Sequence, residues 1–287
     1  MSKLTDAHIE ELDREGFVVV QDFVSGDELK TLQAAQRRVL PTWQKIMEDP
    51  PQDQSGNSML VCFPHEEIEL YKAAMNRESI AFARKWLGTD AIHTRVGCLI
   101  ARYPGHSAGG TRFDDSNLHV DNGNNSLLPM SEDLREFGQI GFWIHLEDVE
   151  EDQAPLRLIP KRHGKDMTHC VPLVCKVGTL AIFTNYSWHS ATAYTRQDGQ
   201  RFTWGYGFGR ADHYWEGFKH YTQLGQGGAP VFQQFIGGLT AEQRELWRFP
   251  PAGHPYYTAQ TLALLEQQYA GWNSDEYRAA MKETRNA

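Results

Sequence analysis

Residues 116–125 read SNLHVDNGNN and set an imidazole, His119, two positions before a carboxylate, Asp121, among small polar residues. In an extended segment the side chains of i and i+2 leave on the same side, so both can converge on one point. An imidazole and a carboxylate together suit a first-row divalent metal of borderline character. Such a pair needs a third ligand. Two histidines and one carboxylate on one face of an octahedral ion leave the remaining positions open for a cosubstrate and oxygen, the arrangement of non-haem iron(II) oxygenases. Of the twelve histidines, His189 is the best placed, because VGTLAIFTNYSWHS sets it in a polar loop just past an apolar, strand-like run. By itself the His-x-Asp pair is a weak motif and more often a hydrogen-bonded loop.

A second feature strengthens the metal reading. Arg201 opens the run RFTWGYGF, where Arg201, Thr203, Gly205 and Gly207 share one face and Phe202, Trp204, Tyr206 and Phe208 the other. An arginine pointing into a barrel is costly unless an anion meets it, and a guanidinium fork matches a carboxylate. Upstream, Trp143 and His145 share a face opposite Ile140, Phe142, Ile144 and Leu146. Trp143 is a candidate lining residue for a cosubstrate or substrate pocket, and His145 is expected as a satisfied core or rim histidine.

The elements that must hold these residues are mostly strands. Runs at 93–103, 138–149, 177–184 and 201–208 are β-branched or aromatic, with polar loops and no long helices between them, which predicts an antiparallel sandwich or barrel. Before them, residues 4–39 read as helix, short strand and helix, with Thr5 as an N-cap, Gly16 as a stop and a Ser25-x-x-Glu28 capping box. Residues 50–58 read as a loop and NRESIAFARKWLG as a short helix. After residue 238, Thr240-x-x-Gln243 and AQTLALLEQQY indicate a helical tail. The aromatic face of residues 202–208 is expected to be covered by helices.

A chain of 287 residues, 40% hydrophobic and 23% charged, can bury a full core, and its net charge of −9 argues against nucleic acid or an anionic membrane as partner. No apolar run of signal-peptide or membrane-spanning length is present, so a cytoplasmic protein is expected. The four scattered cysteines fit reduced, mostly buried thiols. The basic run Arg157, Lys161, Arg162, His163 and Lys165 reads as a solvated loop, which would favour an anionic small-molecule substrate only if it overhung the site.

The segments carrying His119-x-Asp121, IGFWIHLEDVEEDQAPLRLIPKRHGK and GTLAIFTNYSWHSATAYTRQDGQR, with the opening LTDAHIEELDREGFVVVQDFVSGDEL, resemble the phytanoyl-CoA dioxygenase family of iron(II)- and 2-oxoglutarate-dependent oxygenases. The resemblance covers about residues 4–210. It implies a double-stranded β-helix, a cupin-like jelly roll, with iron held by His119, Asp121 and His189. It also implies that Arg201 binds the distal carboxylate of 2-oxoglutarate. Oxygen is then the second cosubstrate, with succinate and carbon dioxide released as a small metabolite or natural product is hydroxylated. Related halogenases carry Gly or Ala where Asp121 stands, so the aspartate points to hydroxylation. Ala191 offers no hydroxyl where some relatives have one, leaving Thr192, Thr203 or Tyr194 to supply it.

One oxygenase domain over residues 1–287 is expected: helices and a strand to 91, the jelly roll over 92–210 and a helical extension over 211–287. Two rival readings use the same fold. A cupin-like metal enzyme without 2-oxoglutarate would have no use for Arg201, and an inactive relative serving as a binding module would have no use for the whole ligand set. The oligomeric state stays open.

Overall fold

The computed structural model describes residues 3–49, 58–63, 65–94, 97–106, 118, 120, 139–211, 230–247, 249, 251–254 and 257–286. Helix α1 (Asp6–Glu15) starts at Thr5, whose backbone N–H donates to His8 Nδ1, and stops at Gly16, which takes the left-handed φ of 81° that ends a helix cheaply. Strand β1 (Phe17–Val20) follows, and then α2 (Gly26–Val39). The expected Ser25 capping bond is not made. Gly26, the first residue of the helix, has a positive φ of 59°.

After α3 (Trp43–Glu48) come β2 (Ser58–Cys62), α4 (Ile68–Ala74), α5 (Arg77–Leu87), β3 (Ile92–Thr94) and β4 (Cys98–Arg102). Strand β2 extends a segment whose beginning reads as a loop by composition. Residues 93–103 read as one strand and form parts of two, both lying along the same edge of the later strand β10 (Arg201–Arg210). Between them, a side chain at Gly97 would run into the Phe63 ring, so the chain passes that ring without one.

Strands β5 (Gln139–His145), β8 (Leu180–Thr184) and β10 complete an antiparallel seven-stranded sheet in the order β1-β8-β5-β10-β4-β2, with β3 also paired to β10. The two-residue strands β6 (Arg157–Leu158), β7 (Val171–Pro172) and β9 (His189–Ser190) form a second sheet, β7-β6-β9. Strands that short carry no alternation from which a sequence could reveal them.

The large sheet has two different faces. Phe142, Ile182, Phe202, Trp204, Tyr206 and Phe208 belong to the main apolar core together with Tyr71, Phe82 and Trp86 of α4 and α5. That is the helical cover expected for the aromatic face. The helices α6 (Pro230–Gly238), α7 (Ala241–Glu245), α8 (Ala259–Gln268) and α9 (Asp275–Asn286) join the same core through Phe232, Phe235, Leu262 and Tyr277. Arg244 is buried there and donates to the carbonyls of Ile236, Gly237 and Asn273, with its guanidinium 3.7 Å from the Trp272 ring centre. It caps the negative end of α6 with a cation. On the other face of the sheet, Ala181, Phe183 and Trp143 pack against Leu156, Leu158 and Leu173. The candidate site lies on this second face.

Candidate active site

His119 and Asp121 lie outside the described residues; among the described residues no three metal-binding side chains gather. His189 is described, and several elements fix it. Its backbone pairs with Leu158 across the small sheet. The turn before it is tied to the end of α1, since Ser187 Oγ donates to the Gly16 carbonyl at 2.6 Å. His189 is buried, its ring 5.5 Å from that of Phe183 on the large sheet, and its Nδ1 lies 2.9 Å from the Ser187 carbonyl oxygen. An Nδ1–H donating to that carbonyl makes Nε2 the lone-pair nitrogen, the tautomer that suits a metal ligand.

Opposite, β10 and its neighbours carry a polar line. Arg201 pairs directly with Arg102 on β4, and Thr203 with His145 on β5 and Ile100 on β4. Gly205 pairs with Trp143, and a side chain at Gly205 would stand 3.2 Å from the indole, so the missing Cβ makes room for the Trp143 ring. That ring is 5.5 Å from Phe183, which also touches His189. The large and small sheets therefore bring Arg201, Thr203, Trp143 and His189 onto one interior face.

The electrostatics of this face are unusual. Arg201 is 5% exposed, and burial, followed by the Arg102 charge, disfavours its charged form. Among the described residues its Nε has no hydrogen-bond partner, nor has the hydroxyl of fully buried Thr203. His145, expected as a satisfied core or rim histidine, has neither ring nitrogen paired among the described residues, and burial with the Arg201 charge pushes its pKa down to about 3. It is a neutral imidazole at every ordinary pH. Buried polar atoms are paired in the great majority of cases, so this concentration on one face marks a polar ligand site rather than a core. The sequence offers Arg102 as a strand-end residue that could reach the pocket and His145 as a core or rim histidine, and goes no further because an alternating strand shows which face a residue takes but not whether its polar atoms find partners.

The other two candidate hydroxyls go elsewhere. Thr192 donates to the Pro155 carbonyl at 2.6 Å and lines an outer cavity with Arg157; Tyr194 donates to the Asp198 carbonyl at 2.9 Å. In the basic run Lys161, Arg162 and Lys165 are exposed, as expected of a solvated loop, and Arg157 is the exception. Arg157 is buried and donates to Ser190 Oγ and the Ala191 carbonyl, Arg162 pairs with Glu15, and Lys165 stacks over Trp188.

Comparison with known proteins gives this geometry a family. The family model described as phytanoyl-CoA dioxygenase matches residues 12–202. The chain belongs to the phytanoyl-CoA dioxygenase family. No curated protein sequence matches it. Among solved structures it is similar to SnoK, a non-haem α-ketoglutarate-dependent carbocyclase of nogalamycin biosynthesis, at 15% identity and a TM-score of 0.54, over 77% of this chain and 90% of that one. It is similar to HygX from Streptomyces hygroscopicus with nickel and 2-oxoglutarate bound, at 13% identity and a TM-score of 0.52, over 73% and 88% of the two chains. EvdO2 from Micromonospora carbonacea var. aurantiaca, complexed with 2-oxoglutarate, gives 14%, 0.54, and 72% and 91%.

At these identities the structures speak for the fold, the double-stranded β-helix of phytanoyl-CoA dioxygenases, in which the large and small sheets described above face each other. The family's oxygenases work with iron and 2-oxoglutarate. The donor set fits that pair: at His189 an imidazole whose Nδ1 is tied to the Ser187 carbonyl, leaving Nε2 for the metal, and at Arg201 and Thr203 a guanidinium Nε and a hydroxyl, both buried, that lack partners among the described residues. Among the described residues, no helix is long and apolar enough to cross a membrane.

Proposed function

We propose that this member of the phytanoyl-CoA dioxygenase family hydroxylates a small metabolite or natural product, with His119, Asp121 and His189 as the iron ligands and 2-oxoglutarate as cosubstrate. The observation that carries the reading is Arg201, a buried guanidinium whose Nε has no partner, on the interior face that also holds Thr203 and Trp143. A buried cation of this kind is stable only with an anion against it. HygX and EvdO2, structures of the same fold, hold 2-oxoglutarate.

Iron and 2-oxoglutarate, when bound, supply the oxygen chemistry that releases succinate and carbon dioxide and oxidises the substrate. The protein's share is positioning. Arg201 would grip the distal carboxylate of 2-oxoglutarate, and the Thr203 hydroxyl, the one candidate with no competing protein partner, would donate to it. The Trp143 indole, seated over Gly205, would form an apolar wall that keeps water from the keto-acid end. Nδ1 of His189, bound to the Ser187 carbonyl, would hold that ring in register while Nε2 faces the metal. Asp121, an aspartate rather than Gly or Ala, supports hydroxylation over halogenation. The C-terminal helices share the main core with α4 and α5, which supports one oxygenase domain over the whole chain.

The test is an anaerobic titration with iron(II) and then 2-oxoglutarate, read by the visible metal-to-ligand charge-transfer band of a chelated keto acid. Wild type should develop the band, Arg201→Gln should need roughly 10- to 100-fold more 2-oxoglutarate for it, the loss of a charge-assisted contact, and His119→Ala or Asp121→Ala should abolish turnover. Iron uptake with no band in wild type would sink the 2-oxoglutarate assignment.

A further inference from the structure

Arg201 is not alone. Its partner on the same rung of the antiparallel ladder is Arg102, the last residue of β4, so two guanidinium side chains leave the same face from backbone positions about 5 Å apart. Like charges directly opposite each other on a sheet repel. Neither has a carboxylate partner among the described residues: Arg102 makes one bond, from a terminal guanidinium N–H to the Ala101 carbonyl, and the Nε of each arginine is buried without a partner. His106, four residues beyond Arg102, feels both charges; with burial they push its pKa down to about 4, and its buried Nε2 also lacks a partner. Two guanidiniums and two imidazoles gathered in one region, with no carboxylate against them among the described residues, are a costly arrangement for an empty fold.

We propose that Arg102 is a second guanidinium contact for the distal carboxylate of the cosubstrate, so that Arg102 and Arg201 clamp the carboxylate between them. The match is one of valence. A carboxylate offers about four lone-pair sites, and this face offers it the two guanidiniums, the Thr203 hydroxyl and the His145 imidazole on adjacent rungs. The bond to Ala101 ties the Arg102 guanidinium to its own strand, and the directly paired backbone positions keep its charge close enough to Arg201 to be felt there. The pair also makes a specificity filter: a keto acid without a distal carboxylate would leave both cations buried and unpaired. This inference rests on the 2-oxoglutarate reading above.

The experiment is calorimetric titration of the nickel-loaded full chain with 2-oxoglutarate and with 2-oxobutyrate, which lacks the distal carboxylate, alongside thermal midpoints with and without 2-oxoglutarate. Arg102→Gln should weaken 2-oxoglutarate binding by about 10- to 100-fold and leave 2-oxobutyrate binding unchanged. Its ligand-free midpoint should hold or rise, since a like-charge contact is removed, while the rise on adding 2-oxoglutarate shrinks. Arg102→Lys, which keeps the charge but not the fork, should recover part of the affinity. Wild-type affinity for 2-oxoglutarate in Arg102→Gln would overturn the clamp and leave Arg102 for the substrate. A lowered ligand-free midpoint with equal losses for both keto acids would overturn it in favour of a structural arginine. Wild type that binds neither keto acid would instead overturn the 2-oxoglutarate reading itself.

Discussion

A threonine hydroxyl with nothing to bond to is an unusual thing to bury. Thr203 is fully buried, its Oγ1 has no partner, and it stands one rung above Arg201 on the face that carries His145 and Trp143. In the absence of ligand the hydroxyl costs stability, and with a carboxylate present it contributes a donor. Thr203→Val keeps the β-branched shape and removes the oxygen. The ligand-free protein should gain about 1 kcal/mol, the cost of one unsatisfied buried hydroxyl, while affinity for 2-oxoglutarate falls several-fold. Chemical denaturation and the same keto-acid titration check the two halves, and a variant that loses stability would show that the hydroxyl is satisfied in the folded protein. Such a trade of stability for a ligand contact is common where a fold carries a binding site.

At the scale of elements, the strand start that presents Arg201 is held from outside the sheet. Gln200, just before it, donates from Nε2 to Glu147 Oε1 at 2.8 Å, and its Oε1 accepts the backbone N–H of Trp43 at the start of α3. Glu147, just past β5, also faces Arg37 of α2 at 3.9 Å. Helices α2 and α3 are thereby tied to the strands on either side of the site. Burial dominates the carboxyl and raises its pKa from 4.5 to about 7, with the Gln200 bond and the Arg37 charge pulling the other way. A folded-state pKa above the unfolded one means the folded state holds the proton longer. The stabilisation is complete below pH 4.5 and is lost as pH rises through about 7. Glu147→Gln cannot titrate, so its unfolding free energy should lack a decline of about 2–3 kcal/mol that wild type shows across that window. Urea unfolding between pH 5 and 8 measures it, and parallel profiles for the two proteins would refute the buried carboxyl as the cause.

For the molecule as a whole, the large sheet separates stability from chemistry by face. Trp204, fully buried among Phe63, Tyr206 and the helical layer, belongs to the main core, whereas Trp143 is half-buried on the opposite face. Trp204→Ala should cost about 3–5 kcal/mol, with little change in keto-acid affinity for the fraction that folds. Trp143→Ala should cost less, since the indole is not fully buried, and should weaken the charge-transfer band by admitting water. Denaturation midpoints and the band intensity, read on both variants, test the division. Equal stability losses would show that both faces are simply core.

Much of this was legible from residue order alone, because alternation in a strand is a local property. RFTWGYGF puts Arg201 and Thr203 on one face and four aromatics on the other whatever surrounds it, and QIGFWIHL does the same for Trp143 and His145. The family resemblance in the His119, His189 and Arg201 segments was legible too, and the family match over residues 12–202 bears it out. Pairing was not. That Arg102 stands opposite Arg201, that Thr192 and Tyr194 spend their hydroxyls on Pro155 and Asp198 while Thr203 spends its own on nothing, and that Gly205 exists to seat an indole are facts of register between distant strands. Register depends on which segments meet in the fold, and hydrogen-bond satisfaction depends on every neighbour within reach, so only the tertiary structure could decide them.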